Sequence, residues 1–429
     1  MVSIAEILKG RHTGKEVELR GWIYRTRSVG GKAFVVVRDS TGIVQVAISR
    51  DAVPAEAFAA AQKALIESSV VVHGKVVEDK RAPGGFEIRA DDFKVRHFAE
   101  KFPIQEDLSE EFLLDVRHLW VRSQRMTTIF RIRHTTFGAV HQYFRDQGFW
   151  EVHPPMITPA GSEGGSTLFE LEYFGRKAHL TQSWQLYAEA LVLAMEKIYY
   201  IGPSFRAEKS RTTRHLTEYW HAEMEQAWAG MDDVIKHAEG VISHACQRVA
   251  EERPDDVVAM GRTPGFLKSV KPPFERMTYD EALKILKKKG MEIEWGKDLR
   301  TLEERALTDG KSKPIVVTHY PRVTQAFYKA RDPKRPDLVL SFDVIGGDGV
   351  GEIVGGSERE TDLEAIKKGL KEQGEDPKAY DWYLDSRRYG SVQHAGFGMG
   401  MERLIQWICK LEHIRDAVPF PRTPARFAP

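Results

Sequence analysis

The stretch Tyr199–Trp228 holds two strand-like runs, YYIGPSFRAE and EYWHAEMEQAW, joined by the short segment KSRTTRH. A connection this short folds the second run back on the first as an antiparallel hairpin, since a parallel crossover needs a dozen or more residues. The hairpin end is crowded with cationic groups: Arg206, Lys209, Arg211, Arg214 and His215. The net charge of the whole chain is only +1, so this is a local device rather than general basicity. Glu208 sits in its midst, and Glu223 and Glu225 follow on the second strand. Such a loop suits a flexible polyphosphate, with Arg206 fixed on the strand and the other cations closing over it. Guanidinium forks match phosphate oxygens two at a time, which explains why arginine dominates. A solvated loop neutralised by its acidic neighbours is the bland alternative.

Two further constellations sharpen the choice. In GFGMGMERL, Gly396–Leu404, glycines alternate along a strand and leave a flat backbone against which a planar ring can lie; Arg403 stands where a helix begins. A close strand–helix packing site would need the same glycines. In SFDVIGGDGVGEIVGGSER, Asp343 and Glu352 lie within a Gly-rich pair of strands, with Arg359 seven residues on. Two carboxylates beside a polyphosphate are what Mg²⁺ takes, although either acid could also be a hairpin surface residue.

The 429 residues, 42% hydrophobic and 29% charged, allow two or three domains with a substantial core. Two cysteines supply neither a disulfide framework nor a cysteine-rich zinc site. No segment has the length to cross a bilayer, and MVSIAEILKG lacks the features of a secretory leader, so a cytoplasmic protein is expected. Residues 1–100 are β-rich: Val17, Leu19, Gly21 and Ile23 share one strand face. Val35 and Val37, then Val44, Val46 and Ile48, form further inward sets. Phe34, Arg38 and Gln45 are expected outside a small barrel, where an aromatic, a guanidinium and an amide suit single-stranded nucleic acid. Nine Lys/Arg against four Asp/Glu in the first fifty residues agree with that. A hinge is expected over 101–125. A helix follows from about Arg125 to Gln147, built on Ile129, Ile132, Phe137, Val140 and Phe144 and stopped at Gly148. The region 232–307 is expected as a helical insertion without an interpretable motif.

Taken together these segments resemble the signature motifs of the class II aminoacyl-tRNA synthetases. GFWEVHPPMI, with Pro155, is similar to motif 1; FRAE with RHLTE resembles motif 2; GFGMGMER resembles motif 3. GSEGGSTLFELEYFGRKAHLTQSWQLY and RRYGSVQHAGFGMGMERL place the likeness within the aspartyl/asparaginyl subgroup, over nearly the whole chain. The resemblance implies an α+β fold: an OB-fold anticodon-binding barrel over 1–100, and a catalytic domain over 126–429 built on an antiparallel sheet flanked by helices. It implies activation of an amino acid by ATP, transfer to tRNA, and a homodimer formed through motif 1.

Carried over to this sequence, Arg206 would clamp the α-phosphate and Arg403 the γ-phosphate, the two catalytic groups. Glu208 would accept from the adenine amino group. Arg214, His215 and Leu216 would cover ATP, with Gly400, Met401 and Glu402 beside the nucleotide. Asp343 and Glu352 would position Mg²⁺; Gly355 departs from the family's serine there. Glu163 and Gln185 would bind the amino acid's α-amino end, and Gly161–Gly165 would form a lid. Phe34, Arg38 and Gln45 would meet the anticodon. Where the aspartate enzymes have a lysine against the substrate carboxylate, this chain has Ala188. A pocket without that cation would bind a second carboxylate poorly. Glu223 as acceptor and Arg359 as donor then suit a carboxamide. WHAEMEQAW and EIVGGSER point the same way, toward the archaeal-type asparaginyl enzymes, so L-asparagine and tRNA(Asn) are the expected substrates. An aspartyl enzyme, including one that charges both tRNAs, stays open through a displaced cation such as Lys177. An asparagine synthetase derived from this fold would lack the barrel, and a non-catalytic RNA-binding relative would lose Arg206 or Arg403.

Overall fold

The computed structural model describes residues 2–104, 108–162, 168–208 and 213–429. The chain divides into two compact units, Met1–Leu114 and Asp115–Pro429.

The first unit is a closed five-stranded barrel of β1 (Glu16–Val29), β2 (Lys32–Arg38), β3 (Ile43–Ser49), β4 (Ser69–Glu78) and β5 (Phe86–His97), in the order β1-β2-β3-β5-β4. Closure removes the free sheet edges. Alternation fills the interior as expected: Leu19, Ile23, Val35, Val46, Val72 and Ile88 are fully buried. The helix Ala55–Lys63 adds Ala57, Phe58 and Ala61 to the same core.

In the second unit the short strands β6 (Trp150–Glu151) and β7 (Ile157–Thr158) precede the hairpin of β8 (Glu170–Tyr173) and β9 (Arg176–Leu180), which pairs with β7. Then come β10 (Lys197–Phe205), β11 (Glu218–Ala227), β12 (Glu275–Thr278), β13 (Ile315–Thr318), β14 (Ser341–Gly346), β15 (Gly351–Glu358) and β16 (His394–Gly400). The main sheet has the order β12-β13-β14-β15-β16-β11-β10-β6. It is antiparallel except at its margins, where β6 runs parallel to β10 and β12 to β13.

Period-2 alternation gives this sheet two unlike faces. Tyr199, Ile201, Ala222, Met224, Phe342, Val344, Phe397 and Met399 point to one side and are buried. Against them lie the helices Gln124–Asp146 and Met231–Glu252, through residues such as Ile132, Val140, Phe144, Val234, Val241 and Ile242. Phe144 stacks on Tyr199 with ring centroids 4.9 Å apart. The first helix is capped by Ser123, whose side chain accepts from the Met126 amide at 3.2 Å. Gly148 just beyond its end has φ +79°, as the stop signal requires. The other face carries His221, Glu223, Glu225, Asp343 and Glu352 toward the cavities described below. No helix among the described residues is long and apolar enough to cross a membrane.

Two expectations about organisation need correction. The region 232–307 is not an appended helical insertion. Its first helix is a core layer, β12 is a margin of the main sheet, and Asp298, Leu299 and Glu304 reach the cavity wall. The stretch 101–125 is not a continuous hinge either. Arg117, 2% exposed, donates from its guanidinium to the carbonyl oxygens of Arg415, Val418 and Pro419 at 2.9–3.0 Å and to Asp416 at 3.1 Å. Truncating it leaves buried acceptors without donors, a change worth about 2–4 kcal/mol. We expect Arg117→Ala to lower the urea-measured unfolding free energy of the second unit by that amount while the barrel's transition stays in place. Equal shifts of both transitions would show that the latch is not local to the second unit.

Candidate active site

The floor of the site is the pairing of β11 with β16, in which Glu223 lies opposite Gly398 and Glu225 opposite Gly396. A Cβ at Gly396 would stand 2.1 Å from Glu225 Oε2, and one at Gly398 would stand 2.4 Å from His221 Nε2. The alternate glycines therefore make room for polar side chains rising from the neighbouring strand. That requirement explains Gly396 and Gly398 without reference to any ligand.

One cavity, about 90 Å³, is walled by Arg206, Glu208, Arg214, His215, Leu216, Tyr219, Glu352, Gly400 and Arg403. It gathers the residues expected around a nucleotide. Arg206 extends from the end of β10, with its guanidinium carbon 5.8 Å from the centre of the Tyr219 ring. Arg403 enters from the first turn of the helix Met401–Ile408 and donates to the Arg214 carbonyl at 3.0 Å and the Glu352 carbonyl at 2.7 Å. Arg214 is held by Glu304 and by Thr301 Oγ1, the latter at 2.8 Å. Burial, then the charges of Arg403, Arg214 and Arg206, push the His215 imidazole down to about 4, so it is neutral at physiological pH.

One member of the expected nucleotide set acts differently. Met401 points into the apolar core, leaving only its backbone for the cavity. Glu402 does line this cavity; it is 1% exposed, and its carboxylate is anchored by accepting from Arg133 at 2.7 Å and from the Trp220 amide at 2.8 Å.

The second cavity, about 570 Å³, shares Arg206, His221, Glu352 and Gly398 with the first. At one end Arg359, 5% exposed, meets Glu225, 1% exposed, through two bonds of 3.0 and 2.9 Å. Ser357 accepts from the same guanidinium at 2.7 Å. Burial opposes the charge on Arg359, but Glu225 outweighs it and keeps the guanidinium ionised. Glu223, the expected amide acceptor, is instead held by Ser183 Oγ at 2.5 Å and the Trp184 amide at 3.0 Å. Gln185 reaches the cavity wall. Ala188 does not: it is fully buried with Trp184, Val192, Ile198 and Tyr200, because it faces the strand layer behind the helix Gln185–Met195. Lys177, the alternative cation, pairs with Glu170 at 2.5 Å, and its side chain is 63% exposed.

At the other end Asp343 and Glu352 face the same space as Asp298, Glu304 and Lys329. Burial and the neighbouring Glu352 charge raise Asp343 well above the usual carboxylate range. Asp298 is raised for the same two reasons. Carboxylates that oppose one another's ionisation beside a roomy cavity are chemically suited to a divalent cation. A Cβ at Gly355 would lie 2.6 Å from Glu352 Oε1 and 3.6 Å from Asp343 Oδ1, so the glycine leaves space for both acids.

Glu163, most of the expected lid, Lys209 and Arg211 lie outside the described residues. Residues missed from sequence include Glu225, His221, Asp298, Glu304 and Lys329. The shared parity of His221, Glu223 and Glu225 was an available signal for the first two; Asp298 and Glu304 had none.

On the barrel, Phe34 is partly exposed beneath the Arg27 guanidinium, 4.7 Å from the ring centre. The other two expected contacts are engaged within the unit. Arg38 is paired with Glu67 at 2.9 Å, and Gln45 is 8% exposed and donates to Glu87 at 2.7 Å. Arg25 and Arg27, on the exposed end of β1, supply cationic groups that the sequence reading did not select.

The neutral His215 has a stability signature. Its ordinary value is 6.5 and its folded value about 4, so as pH falls the unfolded chain binds this proton first. Its contribution is complete above about 6.5 and declines from 6.5 toward 4. We expect His215→Asn to lose less stability than the parent chain over that window in urea titrations at stepped pH. Parallel losses would place the acid sensitivity elsewhere, for example at His237, which is also lowered to about 4.

Residues 109–424 match the family model described as tRNA synthetases class II (D, K and N), and residues 17–96 match the OB-fold nucleic acid binding domain. The asparagine–tRNA ligase of Thermococcus gammatolerans is 48% identical over 422 residues, covering 98% of each chain. The asparaginyl-tRNA synthetase of Pyrococcus horikoshii, solved complexed with asparaginyl-adenylate, superposes with a TM-score of 0.96 at 46% identity, covering 100% of this chain and 99% of that one. That of Entamoeba histolytica, also with asparaginyl-adenylate, gives 0.89 at 32% identity over 97% of each. With the cationic hairpin, the glycine-spaced strand and the barrel all in place, the chain belongs to the class II tRNA synthetases of the D, K and N group.

Proposed function

We propose that this chain is an asparagine–tRNA ligase, and the observation that carries the reading is the buried Glu225–Arg359 pair in the cavity wall. Its charges cancel, so a side-chain carboxylate entering here would meet Glu225 with no uncommitted cation beside it, an expensive arrangement. A carboxamide suits the same pair: its NH₂ donates to Glu225 and its oxygen accepts from Arg359. Polar partners placed in this way discriminate against a mismatched analogue by ~10⁴ or more. The outward pairing of Lys177 with Glu170 supports the same choice over aspartate.

The reaction follows from the shared walls of the two cavities. The asparagine α-carboxylate is ionised at neutral pH and needs no general base. One of its oxygens attacks the α-phosphorus of ATP, the new O–P bond forms, and the bond to pyrophosphate breaks. The 3′-terminal ribose hydroxyl of tRNA(Asn) then attacks the activated carbonyl and AMP leaves. Arg206 stands where both cavities meet and is suited to the α-phosphate; Arg403, in the smaller cavity, is suited to the γ-phosphate. Glu208 would accept from adenine. Catalysis is alignment plus stabilisation of growing charge, and removing one such donor costs about 3–4 kcal/mol. Asp343 and Glu352 would hold Mg²⁺, which when bound neutralises phosphate oxygens.

Phe34 with Arg25 and Arg27 supports a tRNA-reading barrel, since bases stack on aromatics and guanidinium planes. The motif 1 segment, with Trp150 63% exposed on β6, supports a homodimer. Work on cytoplasmic tRNA fits a chain of this family.

ATP–pyrophosphate exchange measured with asparagine and aspartate side by side tests the reading. Asparagine should win by ~10⁴ or more in kcat/KM, and Glu225→Ala should remove most of that advantage. Preferential exchange with aspartate would sink the proposal. In the tRNA arm, Phe34→Ala should cost about 1–3 kcal/mol of tRNA affinity and leave exchange near the parent level. Equal loss in both assays would make Phe34 structural.

A further inference from the structure

Behind the amino-acid end of the larger cavity lies a second buried ion pair. Glu189, on the helix Gln185–Met195, is fully buried, and so is its partner Arg387. The Glu189 carboxylate is saturated: one oxygen accepts from Gln185 Nε2 at 2.9 Å, and the other meets Arg387, Tyr383 Oη at 2.8 Å and His394 Nε2 at 3.1 Å. Arg387 is locked in turn by the Glu360 carbonyl at 3.0 and 3.1 Å and by Ser386 Oγ at 2.8 Å. The network touches the cavity twice. Gln185 forms part of its wall, and the backbone amide of Arg359 donates to the His394 carbonyl at 2.9 Å.

Nothing in the activation chemistry requires these groups, yet burying two charges is costly and is offset only by good mutual geometry. Burial alone would raise the Glu189 carboxyl, but Arg387 and His394 outweigh it and hold it below its ordinary range. Its negative charge also favours the ionised form of Arg359, so the two pairs act on each other electrostatically.

We propose that Glu189 is a positioning and specificity residue: it fixes Gln185 on the cavity wall and cancels Arg387, so that no uncompensated guanidinium behind the pocket draws in an acidic side chain. The inference rests on the asparagine reading above. Its logic is charge balance. With Glu189 ionised, two guanidiniums face two carboxylates. Neutralising Glu189 leaves one positive charge in a low-dielectric wall, where it acts at longer range than it would in water. Neutralising Arg387 instead leaves one negative charge.

Two substitutions of opposite sign test this, with L-aspartate used as a competitor of asparagine in the exchange reaction. Glu189→Gln should lower the aspartate Ki relative to the asparagine KM by about tenfold or more. Arg387→Gln should raise that ratio by a similar factor. The E189Q/R387Q double variant, which restores neutrality with two hydrogen-bonding amides, should return the ratio to about threefold of the parent value. Glu189→Asp, which keeps the charge but shortens the reach to Gln185, should raise the asparagine KM with the ratio unchanged. A merely structural network would weaken both amino acids together, and a ratio unmoved by either single variant overturns the proposal. If Glu189→Gln fails to fold, Arg387→Gln and the double variant still carry the test. The parent enzyme is a separate control, because exchange with aspartate there would defeat the substrate assignment rather than the role of Glu189.

Discussion

Side chains alternate along a β-strand, so a central strand between a helical layer and an open cavity must satisfy both at once. On β11 the compromise is Ala222 and Met224 toward the helices and His221, Glu223 and Glu225 toward the cavity. A slip of one residue would exchange the two sets and drive three ionisable groups into the apolar layer. The same parity on β16 places Phe397 and Met399 in the core and the glycines beneath the polar side chains. Packing and chemistry are therefore fixed by a single register, and neither can vary without the other.

The arginines of the site show how one residue type serves opposite ends. Arg403 is oriented by two carbonyl oxygens, which align its guanidinium without neutralising it. Its field remains directed at the smaller cavity, where phosphate charge is expected. Arg359 is oriented by a carboxylate, so its donors keep their geometry while its net field is cancelled. In the proposed reading, one arrangement suits a polyanion and the other suits a neutral amide rather than an acid. A net charge of +1 over 429 residues conceals this division.

Much of this was legible in the sequence because it is local. The strand parity of Val17, Leu19 and Ile23, the helix spacing of Ile129, Ile132 and Phe144, and the cationic hairpin all depend on near neighbours. What escaped depends on distant partners. Gln45 looked available on an outer strand face, but Glu87, forty-two positions on, claims its amide. Arg38 is claimed in the same way by Glu67. Ala188 was expected in the pocket, but helix rotation turns it to the core, and no spacing rule reveals that. Glu223 and Glu225 share a strand face and both line the cavity, so parity alone could not tell them apart; their partners, Ser183 for one and Arg359 for the other, come from elsewhere in the chain. The region 232–307 looked like an insertion because its contributions are a core helix, one margin strand and a few cavity residues, each meaningful only once the sheet is assembled.

The Arg117 latch bears on the order in which the molecule can be made. Its acceptors, Arg415, Asp416, Val418 and Pro419, emerge from the ribosome 298–302 positions after Arg117 itself. β16, which sits between β15 and β11 in the main sheet, also emerges late. The barrel of the first unit is complete in sequence by His97 and can close while synthesis continues. The second unit must wait with its central strands unpaired on one side and the apolar faces of its long helices exposed. A nascent chain of this protein therefore carries a finished nucleic-acid-binding module ahead of an adhesive, unfinished catalytic body, which can close only once the chain has emerged past Pro419.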